Sequence, residues 1–533
     1  MKLKSIRWTL LKLIAIISLL NYCLLPISSK SNKTLTIGID KDLTGVFSPF
    51  FCKSQIDNYV IDLIYQGMMY YDYNGNLVTE LLSKEPKIDY ENKIIVYDLK
   101  DNLNFSDGTT LDAEDVKYTF TVLSDPGYTG DFYRIAEQIE GYKEYKFGSA
   151  TELSGIEINS PTRVTFHLVD ISEDIINDIS TFKISSSEQT NYQKGYLSAL
   201  EFESKRPVGS GPYMIKNNKS YEGGKLTLIR NKYYEINNDE YKIDKVVIER
   251  TEAYTSLTEV ESGKINILPG VTNIRNIYAA EENKDLDCIS YQSNEIYYLG
   301  FNLNSEVTSD KSVRQALAYS LNRQQYVDDF YLIKENEKGG YVPNILWNPN
   351  DLEFNSVFNS SEESNSYNLE KAKKLLKNKI IKLKMLVIDT DSYAQDLAKT
   401  IKNEWEDLGI KVKIENISNN DYYKVLSDDG FINRWDVFIG CKYFSPEDKN
   451  KSYNLYEKGN LLNYSRYNAN IDLSYLSSME EFDLLFKNIK NDIPYLPLYS
   501  GLAYDIYGCN LTGINVNSRY SWAESIRTID IME

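Results

Sequence analysis

Chemistry at neutral pH needs nucleophiles, bases or metal ligands, and this chain is poor in the commonest of them. Its one histidine, His167, stands in the strand-like run RVTFHLV. A single imidazole cannot supply both ends of a zinc site, and any Ser-His-Asp or Cys-His design would have to pass through it. A histidine on a strand surface is the plainer expectation, and G-x-S-x-G is absent. Cys52, Cys288, Cys441 and Cys509 show no CxxC spacing, so neither metal nor redox chemistry is indicated; an exported chain permits disulfides, but spacing cannot pair them. The glycine-rich run PVGSGPYMI has no GK[ST] after it and no dinucleotide-binding spacing. Gly209 and Gly211 therefore read as a tight crossover, with Pro212 fixing the backbone at its exit. No catalytic residue, metal or cofactor is expected.

At 533 residues the chain exceeds one core, and two or three domains are expected. Hydrophobic content of 42% and charged content of 26% are those of a globular protein. A net charge of −18 disfavours nucleic-acid binding, because phosphates would be repelled. Tyrosine is abundant, at 44 residues; a compositional bias and a groove-lining role both stay open. Lys2, Lys4, Arg7 and Lys12 precede the apolar run LIAIISLL, so residues 1–30 read as a signal peptide or membrane anchor. Cys23 is a possible lipidation site, although Tyr22 fills the place where a small residue is wanted.

The stretch from Ile94 to Phe120 carries the densest local information. Ile95, Tyr97 and Leu99 alternate with Val96 and Asp98 as in a strand, and Asp107-Gly108 signals a turn. Asp112 sits where a helix N-cap belongs, its carboxylate placed for the Asp115 N–H, with Leu111 and Val116 spaced as a hydrophobic staple. Glu114 and Asp115 suit the positive end of the helix dipole.

The run Y-D-L-K-x(4)-F-S-D-G-T-x-L-x-A-E-D-V-x-Y-T-F, residues 97–120, resembles the signature of the family 5 extracellular solute-binding proteins. These are the oligopeptide, dipeptide and nickel receptors of bacterial ABC importers. Two further blocks are similar to the family, in order: PVGSGPYMI, and EIYYLGFNLN followed by VRQALAYSLNRQQYV. The resemblance implies an α/β fold, two-lobed like the type II periplasmic binding proteins, with an extra domain. Its expected divisions are domain I at 34–68, 203–300 and 494–533, domain II at 69–202, and domain III at 301–493. Within these, Gln55 to Tyr70 has helical spacing, and YNLEKAKKLL to KVKIEN reads helix, strand, helix, strand. DVFIGCKYFSP is expected to close that sheet, and the stretch from Glu447 to Asn491 is shorter than the family usually carries there.

By the same resemblance the ligand is held between the lobes by backbone hydrogen bonds, in the manner of strand addition. The matching stretches are Phe47 to Cys52 and Gly440 to Phe444. The candidate ligand-binding residues are Pro49, Phe50, Phe51, Tyr422, Gly440, Cys441, Lys442 and Tyr443. For Tyr422, contact with the ligand and packing in the core both stay open. Peptide-binding relatives place an aspartate shortly after a Gly-Trp-like pair; GCKYFSP instead has Cys441 in the tryptophan's place, then Lys442, and no acid until Glu447. An ammonium facing Lys442 without a compensating charge would be costly. Either an acid from elsewhere anchors the peptide amine, or the ligand lacks one.

The function implied is that of an extracytoplasmic, membrane-associated and monomeric receptor, not an enzyme. It would capture oligopeptides and deliver them to a permease and its ATPase subunits. The alternatives are a non-peptide solute such as a nickel chelate, a surface signalling or adhesion protein on the same fold, and a secreted hydrolase depending on His167.

Overall fold

The computed structural model describes residues 33–532 apart from 53, 131, 190–191, 218–219, 235–240, 253–254, 273, 324–366, 378, 390–391, 444–455, 457, 459–462, 469–487 and 490. The leader with Cys23, Phe444 and most of the 447–491 stretch lie outside the described residues.

The first strand, β1 (Thr34–Ile39), buries Leu35, Ile37 and Ile39 on one face. A loop leads to α1 (Gln55–Ile64), where the Ser54 side chain caps the helix by accepting from the Asp57 N–H. The helical spacing runs on to Tyr70, but the helix stops at Ile64 and Met69–Tyr71 is a strand. The reason is tertiary: the Gly211 N–H donates to the Ile64 carbonyl at 2.7 Å. A Cβ on Gly209 would sit 2.2 Å from the Ile64 oxygen, and one on Gly211 2.6 Å from its carbonyl carbon. The two glycines are therefore there for close approach of two backbones.

The next unit is a sheet of four antiparallel strands, β2 (Lys87–Asp89), β3 (Ile94–Asp98), β4 (Ile156–Ser160) and β5 (Arg163–His167), in the order β2-β3-β5-β4. Helix α2 (Ala113–Leu123) packs on it, Phe120 meeting Phe166 edge to face at 5.0 Å. Ile95 and Tyr97 are fully buried, and the Tyr97 hydroxyl reaches Ser180 Oγ at 2.9 Å. The cap of α2 is reciprocal: the Asp112 carboxylate accepts from the Glu114 N–H at 2.8 Å, and Asp115 accepts from the Asp112 N–H at 2.9 Å. Asp115 does more than face the dipole, because its other oxygen accepts from the Ser187 N–H and hydroxyl, both at 2.8 Å.

The chain then returns through β6 (Tyr213–Ile215), β7 (Lys225–Arg230), β8 (Lys245–Arg250) and β9 (Ile267–Val271), of which β8 and β9 flank β1 in parallel. A 16-residue strand, β10 (Leu286–Phe301), leads to α3 (Lys311–Tyr319), α4 (Leu369–Leu376), β11 (Lys382–Ile388), α5 (Ser392–Asp407), β12 (Lys411–Ile417), α6 (Asn419–Ser427) and β13 (Val437–Tyr443). The last long strand, β14 (Tyr495–Gly508), runs back antiparallel to β10. One sheet results, ordered β12-β11-β13-β10-β14-β9-β1-β8-β7-β6, with the short strand Tyr221–Glu222 beside β7. DVFIGCKYFSP does join the sheet of β11 and β12, through β13, and it lies in the interior, between β11 and β10.

Opposite ends of strands β10 and β14 enter different cores. Leu286, Tyr504 and Ile506 pack in one, and Leu299, Phe301, Leu496 and Leu498 in another. Core membership thus changes inside both strands, whereas the limits expected from sequence, 300/301 and 493/494, stand at their ends. The β10–β14 ladder loses register between Gln292 and Ile296 and again between Tyr297 and Tyr298. Such breaks bend and twist a ladder locally.

Candidate functional site

The loop after β1 is held from below by Asp57, a fully buried carboxylate on α1. Its oxygens accept from the Thr44 N–H at 3.1 Å, the Val46 N–H at 3.2 Å and the Thr44 hydroxyl. Burial pushes the Asp57 carboxyl above its usual range, and these donors pull it back. Farther along, the Phe47 N–H donates to Ser204 O, the Phe50 N–H to Ser48 Oγ, and the Phe51 and Cys52 N–H groups to Ser48 O. The Tyr128 hydroxyl donates to Phe50 O at 3.0 Å. Phe47 packs in the core around β1 and Phe50 in the core of the four-stranded unit, so the loop rivets the two together. Pro49 is buried; Phe51 is half-buried against Tyr128. The N–H groups of Val46, Phe47, Phe50, Phe51 and Cys52 are thus already engaged by protein acceptors.

On the other side, β13 offers backbone. It pairs with β10 along its length, Gly440 opposite Tyr298, Cys441 opposite Tyr297, Lys442 opposite Ile296 and Tyr443 opposite Glu295. Against β11 it pairs only at Val437 and Phe438. From Ile439 onward that edge carries no strand among the described residues. The Ile439 carbonyl is taken by the Tyr422 hydroxyl at 2.6 Å.

Tyr422 is 1% exposed and packs at right angles to Tyr423 and near Phe438, which places its ring in the core. Gly440 is buried because the Tyr298 ring lies across it; a Cβ there would be 2.4 Å from the ring. An aromatic ring covering a cross-strand glycine is a packing device, and Phe438 covers Gly300 in the same way. Cys441 is half-buried. Lys442 and Tyr443 are placed by their backbone, and their side chains lie outside the described residues. The structure therefore sets Gly440, Cys441, Lys442 and Tyr443 in one strand and Pro49, Phe50 and Phe51 in one loop.

The remaining titratable candidates are peripheral. His167 is on β5, its side chain 31% exposed, with Nε2 3.6 Å from Glu157 Oε2. None of Cys52, Cys288, Cys441 and Cys509 is in a disulfide; the Cys52 thiol donates to Ser54 O at 3.2 Å.

One carboxylate escaped the sequence reading. Asp505, on β14, is 1% exposed, and its Oδ1 accepts from the Gly270 N–H at 2.9 Å and the Tyr291 hydroxyl at 2.8 Å. Gly270 sits at the carboxyl end of β9 with φ +67°, a conformation that suits glycine, and β9 is irregular there. Burial pushes the Asp505 carboxyl up to about 6, although both donors oppose the shift. The signal available in the sequence was a lone acid inside the apolar and aromatic run YLPLYSGLAYDIYG. Asp57 was similarly legible only as an acid on the buried face of α1.

With this geometry in view, the comparisons place the chain. Residues 76–477 match the model of the bacterial extracellular solute-binding proteins, family 5. The chain belongs to that family. It is 23% identical over 447 residues to the oligopeptide-binding protein AppA of Bacillus subtilis, covering 76% of this chain and 75% of the relative. It is 24% identical over 380 residues to the periplasmic murein peptide-binding protein MppA of Escherichia coli, covering 67% and 66%. Among solved structures, lactococcal OppA, complexed with an endogenous peptide in the closed conformation, matches with TM-score 0.75 and 17% identity over 94% of this chain and 100% of that one. NikZ of Campylobacter jejuni, in complex with Ni(L-His), matches with TM-score 0.74 and 18% identity over 93% and 99%. The fold is the two-lobed α/β fold of these binding proteins.

Proposed function

We propose that this protein is the extracytoplasmic receptor of an ABC importer, that it captures oligopeptides between its lobes, and that it hands them to a membrane permease served by ATPase subunits. The observation that carries this is the strand pair β10–β14, which runs from one core to the other through two register breaks. Next to β10 stands β13, whose far edge pairs with β11 only at Val437 and Phe438 and carries no strand from Ile439 onward among the described residues. An extended guest can add to that edge by backbone hydrogen bonds, which are indifferent to side chains. Contacts to the other lobe would then favour the closed state in proportion to its differential affinity. The loop at residues 47–52 contributes apolar surface from Pro49, Phe50 and Phe51, the N–H groups of Phe47, Phe50, Phe51 and Cys52 being engaged already. The work is capture and delivery, with no covalent change to the guest. The leader would keep the body at the outer face of the cytoplasmic membrane, as a monomer.

The test is small-angle scattering of the mature protein with and without a mixed pool of tetra- to hexapeptides, alongside native mass spectrometry of the protein as purified. A fall in radius of gyration with the pool, and co-purifying peptide masses, are expected. No compaction and no bound mass would end the proposal. A nickel-chelate receptor would instead compact with Ni(L-His) and not with peptides.

A further inference from the structure

The buried acid at the foot of the crossing strands has no role in holding the loop or in lining the β13 edge. Its surroundings are nevertheless built. Gly270 and Tyr291 satisfy Oδ1 from two different strands, while Oδ2 accepts no hydrogen bond from a described residue. No lysine, arginine or histidine acts on Asp505 among the described residues; the titratable groups that face it are Tyr291 and Tyr507. An ionised carboxylate in this setting has lost most of its water and is repaid by hydrogen bonds at one oxygen only.

Its position in the sheet is that of a ligand group. Strand β9 runs parallel to β1 with Ile267 opposite Ile37, so Gly270 lies beyond the carboxyl end of β1. The crevice outside the carboxyl ends of parallel strands is where open α/β sheets bind ligands. Asp505 shares a sheet face with its cross-strand partner Ile289, with Tyr291 and with Tyr507. All three pack, partly exposed, against the core that also takes Cys52, Ile56 and Tyr59 at the loop and the start of α1. Tyr291 is adjacent to Gln292, where the ladder to β14 first breaks register. The acid thus stands three residues from Leu502, where that break begins, on the face that packs against the core around β1 and beside the rings of Tyr291 and Tyr507, which suit a cation.

We propose that Asp505 is a cation anchor of the binding site: its unpaired carboxylate oxygen takes an ammonium or guanidinium group of the guest, with Tyr291 orienting the carboxylate. This rests on the receptor function proposed above and adds a charge preference to it. The incoming cation supplies the partner that Oδ2 lacks, and charge-assisted hydrogen bonds of this kind are the strong ones. A cation at Asp505 also favours the ionised carboxylate, so binding near pH 6 releases protons from a group that rests at about 6.

Isothermal titration calorimetry tests this with three probes: pentaalanine with a free amine, its N-acetyl form, and an N-acetyl pentapeptide carrying one lysine. The wild-type protein is expected to bind pentaalanine or the lysine peptide at least about tenfold more tightly than N-acetyl-pentaalanine, a modest figure for a charge-assisted bond. Which of the two gains tells an α-amine from a side-chain cation. Asp505→Asn keeps an acceptor for Gly270 and Tyr291 and should erase the preference; Tyr291→Phe leaves the carboxylate and should retain most of it. Should Asp505→Asn not fold, the wild type alone decides. At pH 6, its heats in buffers of different ionisation enthalpy should show proton release with the cationic probes and none with the acetylated one. An unchanged preference in Asp505→Asn, or no linked proton, overturns the anchor and leaves peptide capture standing. If none of the probes nor a mixed peptide pool binds, peptide capture falls and the anchor with it.

Discussion

The four-stranded unit with its capped helix and the strand pair that crosses between cores are held by interactions of opposite range. In the first, Asp112 and Asp115 close a cap three residues apart, β2–β3 and β4–β5 pair across short connections, and the β3–β5 pair is the longer link. In the second, the Gly270 N–H finds Asp505 235 residues away and Tyr291 finds it 214 residues away. Local closure costs little chain entropy, so such a unit is specified by its own sequence. The crossing is assembled by segments that have no reason to meet until the cores exist. The first region is built from one stretch of chain; the second holds the register breaks and a carboxylate of which one oxygen accepts no hydrogen bond from a described residue.

The largest expected effect separates stability from binding. Phe166→Ala removes the ring that Phe120 packs against and should cost about 3–5 kcal/mol, read as a fall in the melting temperature of this unit. The folded fraction should bind its guest with unchanged affinity; a parallel loss of affinity would mean that the two regions are one cooperative element.

Asp505→Asn is the counterpart at the crossing, and its sign depends on pH. The folded protein holds the Asp505 proton more tightly than the unfolded chain does, because the carboxyl rests at about 6 instead of 3.8. The stability this contributes is complete below about pH 4 and is lost as pH rises through 6. The guest-free variant should therefore match the wild type at pH 4 and exceed it at pH 7.5, by up to about 3 kcal/mol. Thermal melts at the two pH values check this, and a gap independent of pH would contradict the assignment. A substitution that steadies the empty receptor while weakening its hold on cations would mark strain kept for function.

Gly440→Ala should cost about 1–3 kcal/mol, because the new methyl group meets the Tyr298 ring. It should also weaken guest binding, since the β13 edge must shift to relieve the clash; denaturant melts and calorimetry measure the two. Smallest is Asp112→Ala, which should lose about 1 kcal/mol of stability by removing the cap of α2, with no change in binding.

The candidate site reads from the sequence as stretches of backbone and hardly at all as side chains. Gly440 to Tyr443 did fall in one strand, because alternation and a family-like motif mark backbone position well. What Tyr422 touches was not legible: an aromatic on an amphipathic helix fits a core or a cleft equally, and only the packing of Phe438 and Tyr423 decided it. The loop shows the same limit. Phe47 and Phe50 belong to one expected stretch, yet they enter different cores.

By itself the amino-acid sequence determined the local grammar: the turn and cap around Asp107 to Asp115, the strands of Ile94–Asp98 and Arg163–His167, the parallel alternation of Lys382–Ile417, and the glycines of the crossover. It determined the family as well, since those signals recur in a fixed order. The tertiary structure alone decided where α1 stops, how far β13 pairs with β11, and which carboxylate is buried with donors from two distant strands at one oxygen. Propensity and spacing act over a few residues. Burial and hydrogen-bond satisfaction are set by whatever distant segment arrives, as Gly211 does at Ile64 and Gly270 at Asp505.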